Sequence, residues 1–369
     1  MAKLGEVCKV AGSSKEISEN QIWLLNLDAI EQQTGKVLTY NYVNQNELNA
    51  SIIQFDADNV LYSKLRPNLN KVVLPNQQGF ATSEMLPLKP DKSVLCKEYL
   101  AAYLRSDSFV AWAVSKTAGA KMPRLSTNVL LEKEIPLPPL DEQRRIAAVL
   151  DKVSGLIAKR REQLAKLDEL VKARFVEMFS DIKKEDSLIN LCNFIDYRGK
   201  TPEKADHGLP FITAKNVKMH YMSFDTQEFI SKETYDKVMT RGFPREGDVV
   251  FTTEAPLGNV CRIPHIDTEF YIGQRIITMQ TKCLKPEYLE YALSSDKFKE
   301  KIESKSSGST VTGIRSKLLE QLTIPVPPFA LQEQFAAFIK QVDKSKLTIQ
   351  RSLDKLEVLK KALMQQYFW

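Results

Sequence analysis

The chain is poor in the residues that carry most catalytic and metal chemistry. Of 369 residues, 3 are histidine and 5 are cysteine. His207, His220 and His265 are unclustered and suit surface or core positions rather than metal ligands or general bases. Cys8, Cys96, Cys192, Cys261 and Cys283 are scattered, odd in number and never in a Cys-x-x-Cys pair. Zinc ribbons and disulfide frameworks need closer or paired spacing, so these read as reduced, mostly buried thiols. No Gly-x-x-x-x-Gly-Lys-Ser/Thr loop, no Gly-x-Gly-x-x-Gly and no His-Glu-x-x-His occurs, which excludes a P-loop ATP site and a zincin centre. No stretch approaches the roughly 20 apolar residues of a membrane helix. The start, Met1-Ala2-Lys3-Leu4-Gly5-Glu6, has no apolar signal core, so a cytoplasmic location is expected.

What is present looks like an ordinary globular protein. Hydrophobic content is 43%, charged content 27% and the net charge +6. That charge is compatible with a polyanion partner without identifying one. The length suits two domains.

The sequence is written twice. Ile135-Pro136-Leu137-Pro138-Pro139 recurs as Ile324-Pro325-Val326-Pro327-Pro328, an offset of 189 residues (324 − 135). The same offset aligns Ala147-Ala148 with Ala336-Ala337, Leu164, Leu167 and Leu170 with Leu353, Leu356 and Leu359, and Phe179 with Phe368. Backward, it aligns Glu98-Tyr99-Leu100 with Glu287-Tyr288-Leu289 and Ser106-Asp107 with Ser295-Asp296. Farther upstream the match thins to Pro67 and Asn70 against Pro256 and Asn259. Each half thus has a variable front and a shared back.

In the shared back, Pro138 and Pro139, like Pro327 and Pro328, forbid helix and predict an extended connector. Asp141-Glu142-Gln143 then supplies negative charge where a helix begins. Ile146, Leu150, Val153, Ile157, Leu164, Leu167 and Val171 repeat four and three apart, a heptad seam. The second copy runs Phe335, Ile339, Val342, Ile349, Leu353, Leu356 and Leu363. Each helix is predicted at about 38 residues, roughly 55–60 Å at 1.5 Å per residue. Two such stripes in one chain can bury each other as an antiparallel pair. Read from the heptads alone, dimerisation of the protein stands beside a spacer between two copies of one domain.

The fronts, residues 1–134 and 180–323, read as mixed α/β. Strand-like runs are Asn59–Tyr62, Lys71–Leu74, Asp248–Phe251 and Arg275–Thr278; helices are predicted over Lys97–Ser115 and Pro286–Lys305. Loops combine basic, hydroxyl and amide side chains, the types that bind phosphates and base edges. In the first front these are Lys64, Arg66, Asn68, Asn70 and Lys71, then Lys116, Lys121 and Arg124. In the second they are Arg198, Lys200, Thr201, Lys215, Asn216, Arg262, Gln274, Arg275, Lys305, Ser307, Ser309, Thr310 and Arg315. The clusters beside Gly119 and Gly308 occupy matching repeat positions. Adenine methyltransferases carry Asp/Asn-Pro-Pro-Tyr/Phe, whose polar side chain receives the extruded base. Here Val326 precedes Pro327-Pro328-Phe329, and valine accepts no hydrogen bond, so these prolines are connector rather than catalyst.

On these motifs the chain resembles the specificity subunits of type I restriction-modification systems. The resemblance rests on Pro136-Leu137-Pro138-Pro139-Leu140-Asp141-Glu142-Gln143 with the helix to Phe179, and on its second copy. Tyr197-Arg198-Gly199-Lys200-Thr201-Pro202, Thr213-Ala214-Lys215-Asn216-Val217 and Gly247-Asp248-Val249-Val250 resemble that family's recognition domains. The first front lacks the Gly-Lys-Thr-Pro element. The resemblance implies a mixed α/β fold with two target-recognition domains and two long antiparallel coiled-coil helices, related by a pseudo-two-fold repeat. Its expected divisions are 1–140, 141–180, 181–329 and 330–369. It implies a non-catalytic subunit in which each front reads one half of a split double-stranded DNA target and the helices fix the gap. Two modification subunits would dock around Pro138, Pro139, Ile146, Leu150, Leu164 and Leu167 and around Pro327, Pro328, Phe335, Leu353 and Leu356. S-adenosylmethionine, ATP and magnesium would belong to the modification and restriction subunits. The alternatives are a specificity subunit of another methylation-dependent defence complex and a coiled-coil scaffold that reads no sequence.

Overall fold

The computed structural model describes residues 1–13, 21–44, 52–119, 121–197, 199, 201–273, 275–306 and 313–368. It divides into two compact units, Met1–Glu162 with Gln350–Trp369, and Gln163–Ile349. Both are mixed α/β, and each is built on the same plan.

In the first unit one sheet orders Cys8–Val10, Met85–Pro90, Val60–Ser63 and Val72–Val73, all neighbours antiparallel. Val60, Leu61 and Tyr62 are all buried, because both faces of this sheet are covered. Successive side chains alternate between faces. Val60 and Tyr62 therefore join the helical core with Tyr99, Leu100 and Leu104, while Leu61 joins Trp23, Leu25, Phe55 and Met85 beneath a second sheet. That second sheet orders Asn41–Asn44, Gln21–Leu25, Gly79–Thr82 and Ile52–Phe55, with one parallel pair, Leu24 opposite Phe80.

The second unit repeats the scheme. Cys192–Asp196, Ile276–Thr281, Val249–Thr252 and Val260–Arg262 form the first sheet. Val249 and Phe251 face the helical core and Val250 faces Ile212 and Ile272. The second sheet has Phe229–Ile230, Leu209–Ile212 and Tyr271–Ile272, again with one parallel pair, Phe211 opposite Tyr271.

The helices predicted over Lys97–Ser115 and Pro286–Lys305 are each broken. They run Lys97–Leu104 and Asp107–Ser115, and Pro286–Ser294 and Asp296–Lys305. Ser106 and Ser295 cause the breaks. Each hydroxyl accepts from the backbone N–H of the third residue on, Phe109 or Phe298, and caps a new helix.

The long helices span Leu140–Phe179 and Phe329–Phe368, 40 residues each, or about 60 Å. In each unit they run antiparallel. In the first, Ile146, Ala147 and Leu150 from the start of one share a core with Leu363, Met364 and Phe368 from the end of the other, and Arg161 pairs with Glu357 at 2.7 Å. In the second, Phe175 and Phe179 pack on Phe335 with ring centroids 5.6 and 5.4 Å apart, and Lys346 pairs with Asp168. Ile146, Leu150, Val153, Ile157 and Val171, with Phe335, Ile339, Val342 and Leu353, are buried. Each contributes about 1.5–3 kcal/mol of apolar burial. Leu164, Leu167 and Leu356 are half-buried.

The proline connectors are tied down rather than loose. Ile135 pairs with Ala2, and Ile324 with Asp186, as short antiparallel strands. Tyr99 donates to the Pro136 carbonyl at 3.1 Å, and Tyr288 to Pro325 at 2.6 Å. Gln143, fully buried, accepts from Cys96 N–H at 2.9 Å and donates to the Val94 and Pro138 carbonyls at 2.9 and 2.8 Å. Gln332 accepts from Lys285 N–H and donates to the Pro327 carbonyl, both at 2.9 Å. The tyrosine and glutamine pairs, Val94 excepted, repeat at the 189-residue offset.

Candidate nucleic-acid interface

In the first unit the strand Val60–Ser63 ends at a corner. Arg66 and Asn70 take left-handed backbone, φ +48° and +49°, on either side of the short Pro67–Leu69 turn. The loop that follows the helix Asp107–Ser115 folds back onto this corner. Ala118 and Arg124 exchange backbone hydrogen bonds, Leu125 N–H donates to the Lys64 carbonyl at 2.9 Å, and Arg66 N–H to the Pro123 carbonyl at 2.8 Å. Lys64, Arg66 and Arg124 therefore share one junction, with Lys116 and Lys121 on the same returning loop. Arg66, Asn68, Lys116, Lys121 and Arg124 are exposed and Lys64 is half-buried.

The second unit builds the same junction. The strand Val249–Thr252 ends at Ala255, φ +46°, followed by Pro256. Ile314 N–H donates to the Thr253 carbonyl at 3.0 Å, as Leu125 does to Lys64, and Glu254 bridges Gly313 as Leu65 bridges Arg124. Thr253 N–H donates to the Arg275 carbonyl at 2.9 Å, matching Lys64 and Glu84 at 3.0 Å. Arg275 and Arg315 are exposed at this junction, and Lys305 is exposed at the end of the helix Asp296–Lys305. Lys215 lies on the turn after Leu209–Ile212, 3.8 Å from Glu228, and Thr201 is exposed on irregular chain. Arg198, Lys200, Gln274, Ser307, Gly308, Ser309 and Thr310 lie outside the described residues.

Four polar residues grouped with the loops by sequence are committed to the interior instead. Asn70 is buried and donates to Gln33 Oε1 and the Arg105 carbonyl. Asn216 is buried and uses its whole amide: Oδ1 accepts from Thr213, and Nδ2 donates to the Ser223 and Thr226 carbonyls. Lys71 donates to the Leu27 carbonyl, and burial lowers its pKa. Arg262 pairs with Glu290 at 2.6 Å, Asp343 at 2.9 Å and Glu287 at 3.5 Å. Burial alone would lower its pKa, but Glu290 and Asp343 outweigh that and raise it. His220 completes this network, 3.0 Å from Glu290 and stacked on Tyr291 at 4.2 Å. The network joins the sheet, the helix Pro286–Ser294 and the second long helix within one unit.

Sequence reading missed the loop acids. Glu84 pairs with Arg124, its oxygens 3.1 and 3.2 Å from Nε and 3.0 Å from Nη2. Glu254 pairs with Arg275 Nε at 2.9 Å. No local pattern marks them, because the partners are 40 and 21 residues away (124 − 84 and 275 − 254). Among the described residues no group of three or more His, Cys, Asp or Glu could hold a metal ion, and no helix is long and apolar enough to cross a membrane.

The fold and the paired basic junctions define a duplicated recognition protein: one α/β frame, used twice, presenting two different sets of loop side chains. The family model described as type I restriction modification DNA specificity domain matches residues 1–168 and again 185–360, and the chain belongs to that family. It is therefore a type I specificity subunit, a DNA-recognition protein. The MjaVIII type I restriction enzyme specificity subunit of Methanocaldococcus jannaschii is 23% identical over 78% of this chain and 73% of its own length. The putative MjaX specificity subunit of the same organism is 24% identical over 76% and 69%. Two solved structures share the fold. The type I restriction-modification S subunit from M. genitalium has a TM-score of 0.63 at 16% identity, covering 100% of this chain and 95% of that one. A chain from a type I system solved for its complex assembly and conformational transition has a TM-score of 0.57 at 20% identity, covering 99% and 96%.

Proposed function

We propose that each unit reads one half of a bipartite double-stranded DNA target in the cytoplasm. The readers in the first unit are Lys64, Arg66, Asn68, Lys116, Lys121 and Arg124. Those in the second are Arg198, Lys200, Thr201, Lys215, Gln274, Arg275, Lys305, Ser309, Thr310 and Arg315. The observation that carries this reading is the shared junction: equivalent backbone hydrogen bonds at 64 and 253 and at 125 and 314, with unlike side chains on top. A fixed backbone with exchanged side chains asks two questions of DNA with one geometry.

The long helices set the number of unread base pairs and, with the connectors, dock two modification subunits. Those subunits bring S-adenosylmethionine and the adenine methyltransferase site; restriction subunits bring ATP and magnesium chemistry. This chain supplies the address and no catalytic group.

The test is to co-express the chain with its modification subunit and map methylated adenines across a host genome. Two short specified halves around a fixed gap are expected. Four residues inserted in each long helix, about one turn, should lengthen the gap and leave both halves unchanged. No methylation from an assembled, cofactor-loaded complex would refute the reading in favour of a scaffold, whose DNA binding salt abolishes equally for every sequence.

A further inference from the structure

We propose that Glu84 and Glu254 are specificity-determining positioning residues, each holding a reading arginine by one edge so that the other edge faces a base. The inference rests on the reading role proposed above for Arg124 and Arg275.

A guanidinium has two useful edges. Nε–H and one Nη2–H form the side edge; Nη1–H and the other Nη2–H form the end. Glu84 occupies the side edge of Arg124, accepting from Nε and Nη2. Glu254 engages Arg275 at Nε, the same side. The end edge is the one that can meet guanine O6 and N7 with two parallel bonds. An arginine on a flexible stem must otherwise be ordered at the moment of binding, and an exposed loop does little to order it.

An isolated surface ion pair is worth little and has no reason to recur. This one recurs with its parts exchanged. Glu84 and Arg275 hold the same backbone position, since each carbonyl accepts from the residue that leaves the buried strand, Lys64 or Thr253. One unit places the acid there and brings the arginine from the returning loop. The other places the arginine there and brings the acid from the corner. The offset partners of Arg124 and Glu254 are Gly313 and Leu65, so neither unit keeps the other's version. The shared feature is the arrangement, an arginine held side-on by a carboxylate at the junction, made in each unit by residues at different offset positions.

The carboxylate also changes what the arginine binds. Beside Glu84 the local charge is close to neutral, so Arg124 is drawn less to phosphates, which carry no sequence information. Removing the acid frees a cation for the backbone and unfixes the edge that reads. Both effects relax specificity in one half-site.

The experiment compares the methylation motifs of wild type, Arg124→Ala, Glu84→Gln and Glu254→Gln, each complexed with the modification subunit, together with affinity for duplexes lacking the target. Glu84→Gln should lower discrimination at one base pair of one half-site roughly tenfold. It should leave the other half and the gap unchanged, relax the same position as Arg124→Ala, and tighten non-target binding with a steeper salt dependence. Glu254→Gln should do the same in the other half, an independent case should one variant fail to fold. A role in stability alone would lower complex yield and leave the motif intact. The positioning role is overturned if Arg124→Ala relaxes the motif and Glu84→Gln does not, or if neither does. A wild-type complex that yields no split motif would instead overturn the reading beneath it.

Discussion

The two units keep one skeleton and differ in how they fill it. Tyr99 and Tyr288, Gln143 and Gln332, Ser106 and Ser295 make equivalent hydrogen bonds in both. Around Arg262 they part company. The second unit buries a charged network there, Arg262 with Glu290, Glu287, Asp343 and His220. In the first unit the offsets of Glu287, Glu290 and Asp343 are Glu98, Ala101 and Ser154, and buried Ala101 sits in a core against which Leu74, just past the strand Val72–Val73, also packs. The first copy relies on apolar packing around Ala101, where the second uses ion pairing around Glu290. Residues that hold backbone to backbone recur, because replacing one strands several polar groups at once. Residues that fill space diverge in sets.

The largest expected effect breaks the charged set in one unit only. Arg262→Val leaves Glu290 buried without its cation and should cost the second unit about 3–5 kcal/mol, read as lost amide-exchange protection there with the first unit unaffected. Adding Glu290→Ala, which removes the stranded carboxylate and installs the residue the first unit has at Ala101, should recover at least half of that loss; no recovery would mean the two fillings are not interchangeable. Gln143→Ala removes three hydrogen bonds and strands Cys96 N–H and two carbonyls, at about 3 kcal/mol. Gln332→Ala, with two bonds, should cost somewhat less, and denaturant titration of each unit compares them. Ser106→Ala and Ser295→Ala lose one helix cap each, about 1 kcal/mol. Their effects should agree within about 0.5 kcal/mol, and a larger gap would show that the shared skeleton is not energetically shared.

Much of the frame was legible in the chain. Prolines at 136, 138 and 139 and again at 325, 327 and 328 mark the connectors, because proline cannot continue a helix. The heptad seam marks two long helices, and Val-rich runs mark the strands of the central sheets. The breaks at Ser106 and Ser295 were not read, since serine within a helical pattern caps only when the chain turns around it. The loops were legible as polar but not by role. Asn70 and Asn216 share composition with Arg66 and Lys215, yet the first two face inward, and no one-dimensional pattern separates them.

The sequence by itself determined the duplication, the mixed α/β class and the long helices, because these follow from periodicity, proline chemistry and an offset that local comparison reveals. Tertiary structure alone decided which segments form a unit. The end of the chain, Gln350 onward, belongs with the first 162 residues, and the end of the first helix belongs with the second domain. It alone also decided which arginine meets which carboxylate. Ion pairing and antiparallel packing act across space between residues far apart in sequence, and only the folded chain brings those residues within reach.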